Sequence, residues 1–172
     1  RLGTPERAAK GGMRHISLGI LLGLADPAED LFALYQHLRS MEKNYPGVEY
    51  SVSFPRLRKI KGREFAVCDV DDMTLIKIIC LTRILFPRVG INLSTRENSD
   101  LRDHALDIGI TRVSAGSNTS VGGYTLKPRE EQDPQFDTED QRSVAEVVRL
   151  LKERNFDPVF TDWRRIPNES NQ

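Results

Sequence analysis

The stretch HISLGILLGL, His15 to Leu24, limits the possible folds more than any other. A nearly unbroken apolar run of this length suits a strand covered on both faces in a parallel sheet. Asp26, Pro27 and Glu29 follow at once: a side-chain cap, a proline for the first helical turn and the acid of a capping box. Leu31, Leu34, Tyr35 and Leu38 then recur at i, i+3, i+4, i+7, which predicts a helix with one buried face. A parallel strand followed by a crossover helix demands more of the same, and the chain supplies it. Val48 to Phe54, VEYSVSF, is β-rich and halted by Pro55; a polar loop runs to Asp69, and Asp71 or Asp72 opens an apolar helix to about Phe86. Gly90 to Ser94 is a short strand, Ser99 caps a helix through Ile108, and Thr111 to Ala115 is another strand. After a long loop, Thr138 and Gln141 form a second capping box before the stripe Val144, Val147, Val148, Leu151, and Asp157 to Trp163 is a final short strand.

Four strand-helix alternations predict an α/β fold with parallel strands and right-handed crossovers, about four βα units, or half of a TIM-type (β/α)8 barrel. The 172 residues are read as one domain, 1–172. An isolated half-barrel would leave its outer strands unpaired and an apolar interior face open, inviting pairing with a second copy unless terminal helices cover the opening. The chain starts at Arg1, and RLGTPERAAKGGM reads as the end of a helix stopped by Gly11 and Gly12, so a larger protein is expected.

The polar oddities all fall just after strands: Gly23 to Asp26, Ser53 to Arg56, Ser94 to Glu97 and Ser114 to Ser117. In parallel α/β folds that edge is where sites are built. Arg96, in LSTRENSD, stands beside a helix N-terminus, where the dipole favours an anion and disfavours a cation, so local stability does not explain it. A guanidinium there, at Arg96 or Arg56, suits either a surface ion pair or a bidentate clamp on a carboxylate; SAGS adds hydroxyls and close backbone N–H groups.

Other chemistries find little. Lys plus Arg, 25, equals Asp plus Glu, 25, so no net charge points to nucleic acid or to an anionic membrane surface. No apolar run reaches the roughly eighteen residues of a membrane span and no signal peptide opens the chain, which predicts a cytoplasmic protein. Cys68 and Cys80 are not at metal-ligand spacing and read as ordinary buried thiols. His15, His37 and His104 fall in different elements and suit surface or packing positions; Ser114 and Ser117 lack the elbow of a hydrolase nucleophile. The sequence contains no GxGxxG, GxxxxGK[ST] or HExxH. No metal ligand and no catalytic side chain is assigned.

The ordered segments ISLGILLGL, YSVSFPRLR, LSTRE, VSAGS with GGY, and DPVFTDW resemble, over essentially the whole chain, the C-terminal half of the aromatic-amino-acid lyases among radical S-adenosylmethionine enzymes, most of all the 2-iminoacetate synthases of thiamine biosynthesis. That resemblance implies a barrel in which a [4Fe–4S] cluster and S-adenosylmethionine generate a radical that breaks the Cα–Cβ bond of tyrosine, giving dehydroglycine and p-cresol. It implies that Gly19, Ile20, Leu21, Leu22 and Gly23 match the GxIxGxxE strand that packs on the adenine of S-adenosylmethionine, with Asp26 at the family's Glu position. Ser53, Phe54, Pro55 and Arg56 match the SFPR segment lining the substrate pocket; Ser94 and Arg96 lie in the segment whose arginine holds the substrate carboxylate; Ser114, Gly116 and Ser117 match the last-strand segment nearby. The family's CxxxCxxC belongs to an N-terminal half, and this chain has no such motif. The resemblance leaves open a lyase acting on tryptophan, the [FeFe]-hydrogenase maturase, which carries a cysteine-containing sequence where this chain reads VFTDWRR, and a fragment that only binds substrate. It also implies a thiazole synthase as the enzyme that takes the product.

Overall fold

In a computed structural model of the chain, residues 2–57, 68–119 and 138–160 are described. The chain divides into two compact units, Arg1–Gln141 and Arg142–Gln172. The first begins with α1 (Thr4–Lys10), which ends at Gly11 and Gly12, the latter at φ 87°. It continues β1 (His15–Gly19), α2 (Pro27–Asn44), β2 (Glu49–Ser53), α3 (Asp72–Leu85), β3 (Gly90–Leu93), α4 (Ser99–Leu106) and β4 (Arg112–Val113). The strands form one parallel sheet in the order β1-β2-β3-β4, the α/β architecture expected of four successive βα units. The second unit holds α5 (Val144–Glu153), in which Val147 is buried.

One face of the sheet is built as a core. Ile16 and Leu18 of β1, Tyr50 and Val52 of β2 and Ile91 and Leu93 of β3 are buried with Leu31, Leu34, Leu38 and Met41 of α2 and Leu75, Ile78 and Ile79 of α3. Tyr35 Oη and Thr82 Oγ1, 2.7 Å apart, tie the two helices.

The other face is polar, which corrects the expectation of an apolar interior. Asn92 donates from Nδ2 to Ser17 Oγ at 3.0 Å and to Ser51 Oγ at 3.1 Å. His15 Nε2 lies 3.1 Å from that same Ser51 Oγ, and Arg112 bonds the His15 ring and Glu49, the latter at 2.8 Å. Four strands are thus stitched by side chains on the face that an apolar run would have buried.

The strand β1 is also shorter than the run that announced it. The chain leaves the sheet after Gly19, where an added Cβ would meet Ser53 Oγ at 2.6 Å, and returns only as a parallel bridge between Leu22 and Arg56. Such close approach of two strands requires glycine.

The helix starts follow the capping logic with three corrections. Asp26 accepts from Ala28 N at 2.8 Å and Glu29 N at 3.3 Å, and Asp71 from Thr74 N at 2.7 Å. The cap of α4 is Asn98, bonded to Leu101 N at 2.8 Å, one residue before Ser99, and the helix ends at Leu106 rather than Ile108. The capping box found among the described helices is Ser143 with Glu146, not Thr138 with Gln141, and at α2 Asp26 acts as a side-chain cap without the expected return bond from Glu29. Just after Thr138, the N–H groups of Glu139 and Asp140 go to Thr95 O at 3.0 and 3.1 Å, so that segment is tied to the end of β3 instead of opening a helix. Residues 157–160 are not in a strand, and the rest of the expected strand to Trp163 lies outside the described residues.

Candidate functional site

The C-terminal ends of the parallel strands gather the predicted polar residues. A cleft of about 310 Å³ is lined by Ser53, Phe54, Pro55, Asn92, Leu93, Ser94, Arg96, Glu97 and Ser114. Six of these, Ser53, Phe54, Pro55, Ser94, Arg96 and Ser114, are sites expected from sequence. They come from three strand ends and meet because the register sets Ser53 beside Asn92 and Leu93 beside Val113, one residue before Ser114.

The β3–α4 turn that carries Arg96 is fastened at every neighbouring residue. Ser94 Oγ accepts from Arg96 N at 3.3 Å, and Thr95 O receives the amides of Glu139 and Asp140. Glu97 is 1% exposed and bonded to Arg56, and Asn98 caps the helix. Arg102 bonds Asp140 and the carbonyl of Ser114, an ion pair buried on both sides, and so joins this turn to the end of β4.

Arg56 has a different place from Arg96. It is 7% exposed and belongs to a neighbouring cleft of about 490 Å³ with Leu22, Cys68 and Asp72. Its Nε meets both oxygens of Glu97 at 3.2 and 3.1 Å, one terminal nitrogen bonds the same carboxylate, and the other donates to Val70 O at 2.9 Å and pairs with Asp72 at 2.7 Å. Burial by itself would lower its pKa, but the hydrogen bonds and charges of Glu97 and Asp72 outweigh that and push it up, so the guanidinium stays charged.

The remaining expected residues are dispersed. Gly116, at φ 60°, and Ser117 follow Ser114 but do not line the cleft. Gly19 is exposed beside Ser53, Ile20 and Leu21 are half-buried, and Leu22 and Gly23 are buried. Leu22 N donates to Pro55 O at 2.8 Å and Gly23 O accepts from Cys68 N at 3.0 Å. Asp26 is the exposed cap of α2. Cys80 is half-buried and Cys68 exposed, so the buried-thiol expectation fails for Cys68. Among the described residues, no three His, Cys, Asp or Glu side chains converge as a metal site. Sequence reasoning missed Asn92 and Glu97 as cleft residues. Asn92 had a signal, a lone amide in the apolar strand GINL, and Glu97 had one in its adjacency to Arg96.

The cleft, with a cation between serines and one aromatic ring, lies at the carboxyl edge of a parallel sheet, the edge where TIM-type α/β folds build their sites. The Biotin and Thiamin Synthesis associated domain matches residues 53–157, and the chain belongs to that family. It is 39% identical over 164 residues to the 2-iminoacetate synthase of Salmonella typhimurium and 37% to that of Escherichia coli, in both cases over 95% of this chain and 43% of the relative. It is 32% identical to the biotin synthase of Psychromonas ingrahamii, over 92% of this chain and 42% of that protein. The FeFe-hydrogenase maturase HydG from Carboxydothermus hydrogenoformans superposes with a TM-score of 0.78 at 36% identity, over 93% of this chain and 36% of HydG. The chain thus spans less than half the length of these relatives.

Proposed function

We propose that these residues form the substrate-binding part of a radical S-adenosylmethionine lyase that breaks the Cα–Cβ bond of tyrosine to give dehydroglycine and p-cresol, supplying thiazole synthesis for thiamine in the cytoplasm. The observation that carries this is the convergence of Ser53, Phe54, Pro55, Ser94, Arg96 and Ser114 on one cleft, together with the 39% identity to a 2-iminoacetate synthase. In this reading the Arg96 guanidinium holds the substrate carboxylate, Ser94 and Ser114 add hydroxyl contacts, and the Phe54 side of the cleft gives the substrate an apolar wall. Gly116 and Ser117, outside the cleft lining, would contribute only by shaping the turn that follows Ser114.

For the [4Fe–4S] cluster this chain is no fit: its two cysteines, Cys68 and Cys80, are twelve positions apart and the described residues hold no ligand cluster. The ligands belong to the N-terminal half of the barrel, supplied by other sequence. In this reading S-adenosylmethionine packs against the end of β1, at Gly19, Ile20, Leu21, Leu22, Gly23 and Asp26, which the exposed backbone of Gly19 beside Ser53 supports. When bound, it supplies the radical that takes hydrogen from the substrate. A thiazole synthase would receive the dehydroglycine, and β1 and β4, the outer strands of the described sheet, are where a second copy of the isolated 172 residues would pair.

The test is anaerobic reconstitution of the full-length protein with iron, sulfide, S-adenosylmethionine and a reductant. With tyrosine, 5′-deoxyadenosine and p-cresol are expected together. Formation of 5′-deoxyadenosine without p-cresol, but with cleavage of tryptophan, would move the reading to the tryptophan-type lyase. No 5′-deoxyadenosine with either amino acid would leave a domain that binds without catalysing.

A further inference from the structure

The arginines that follow β2 and β3 read alike in sequence, yet only Arg96 lines the substrate cleft, while Arg56 lies behind it in the neighbouring one. We infer that Arg56 is a positioning residue: through its buried fork on Glu97 it sets the orientation of Arg96, and it governs carboxylate recognition without touching the substrate. This rests on the reading of Arg96 given above.

The geometry supports it in three ways. Glu97 is the next residue after Arg96, so fixing its carboxylate fixes the peptide that carries the Arg96 side chain. The Arg56–Glu97 contact uses Nε and one terminal nitrogen against both carboxylate oxygens, and such a planar fork has a defined direction that an ammonium cannot copy. The other terminal nitrogen is held by Val70 O and Asp72 at the start of α3, so the fork is anchored to a different βα unit from the one it orients. A salt bridge placed only for stability has no need of this, since a buried pair is often no better for stability than apolar packing of the same volume.

There is also an electrostatic reason for the arrangement. Left alone, the Glu97 carboxylate beside Arg96 would compete with a substrate carboxylate for the same guanidinium. Held by Arg56, which also pairs with Asp72, the Glu97 carboxylate is already engaged by a buried guanidinium and competes less for Arg96. Arg56 therefore serves Arg96 twice, by direction and by charge.

A thermodynamic cycle on the full-length protein tests this, with equilibrium binding of L-tyrosine and of tyramine, which lacks the carboxylate, measured for the wild type, Arg56→Lys, Arg96→Ala and the double variant. Arg56→Lys keeps the charge and loses the fork. It is expected to weaken tyrosine binding on the order of tenfold, the scale of coupling between contacting side chains, and to leave tyramine binding unchanged. In the Arg96→Ala background the same change is expected to do nothing further. Equal weakening of tyrosine and tyramine by Arg56→Lys, or full additivity with Arg96→Ala, would overturn the inference, because Arg56 would then act on the cleft by itself. If Arg96→Ala leaves tyrosine binding intact, the carboxylate-clamp reading falls and this inference with it, a result distinct from additivity. Should Arg56→Lys fold poorly, Glu97→Asp, which keeps the charge but is too short to meet the fork, takes its place in the same cycle with the same expectations.

Discussion

The two faces of the sheet are made of the same four strands and held by opposite physics. On the helix side, Ile16, Leu18, Val52, Ile91 and Leu93 join one continuous apolar core with α2 and α3. On the other side, His15, Ser17, Ser51, Asn92 and Arg112 hydrogen-bond across all four strands. The first face is held by area removed from water, which is insensitive to direction; the second by bonds that fix side-chain direction and contribute little net stability each. A face of the second kind suits a barrel interior that must present groups to a ligand rather than close on itself.

Substitutions on the two faces should differ in size. Ile91, fully buried on the helix side, is expected to cost about 2–5 kcal/mol as Ile91→Ala. Ser51, equally inaccessible but on the polar side, is expected to cost about 1 kcal/mol as Ser51→Ala, from the lost contacts to His15 and Asn92. Urea titrations of both variants check this; equal costs would mean that the polar face is core after all. The smallest effect lies at helix starts. Asp71 is held below the usual carboxylate range by the Thr74 hydroxyl and amide, and Glu146 by the Ser143 hydroxyl and amide. A depressed carboxyl stabilises the folded state above its unfolded pKa of about 4 and loses that contribution as pH falls through the folded value. Hydrogen exchange at the first turns of α3 and α5 should therefore be flat from neutral pH to about 5 once the intrinsic rate is removed, and rise below about 4. A rise beginning near neutrality would contradict the assignment.

The same contrast explains what could be read from the chain. Helix α2 was legible because Leu31, Leu34 and Leu38 are periodic and Asp26 has the chemistry of a cap, both local facts. The cleft was legible as a set of strand-end residues, since parallel topology alone sends them to one edge. The partition of Arg56 from Arg96 was not, because it depends on Glu97 and Asp72, which lie 41 and 16 positions along the chain from Arg56 and meet it only after folding. The apolar look of HISLGILLGL hid the polar face for a related reason. Ser17 and Gly19 break the run at period two, and that period matters only once Ser17 has Asn92 to meet and Gly19 has Ser53 against it. The early end of β1 likewise depends on that contact across strands, which no local pattern encodes.

The central claim is that Arg96 recognises an amino-acid carboxylate at the strand ends. The most direct measurement is the ratio of L-tyrosine to tyramine affinity in the full-length protein, wild type against Arg96→Ala. Losing a hydrogen-bonded charge contact of on the order of 2 kcal/mol should weaken tyrosine binding about thirtyfold and leave tyramine nearly unmoved, so that the preference for tyrosine collapses. A preference for tyrosine that survives Arg96→Ala intact would show that the carboxylate is held elsewhere and would contradict the account.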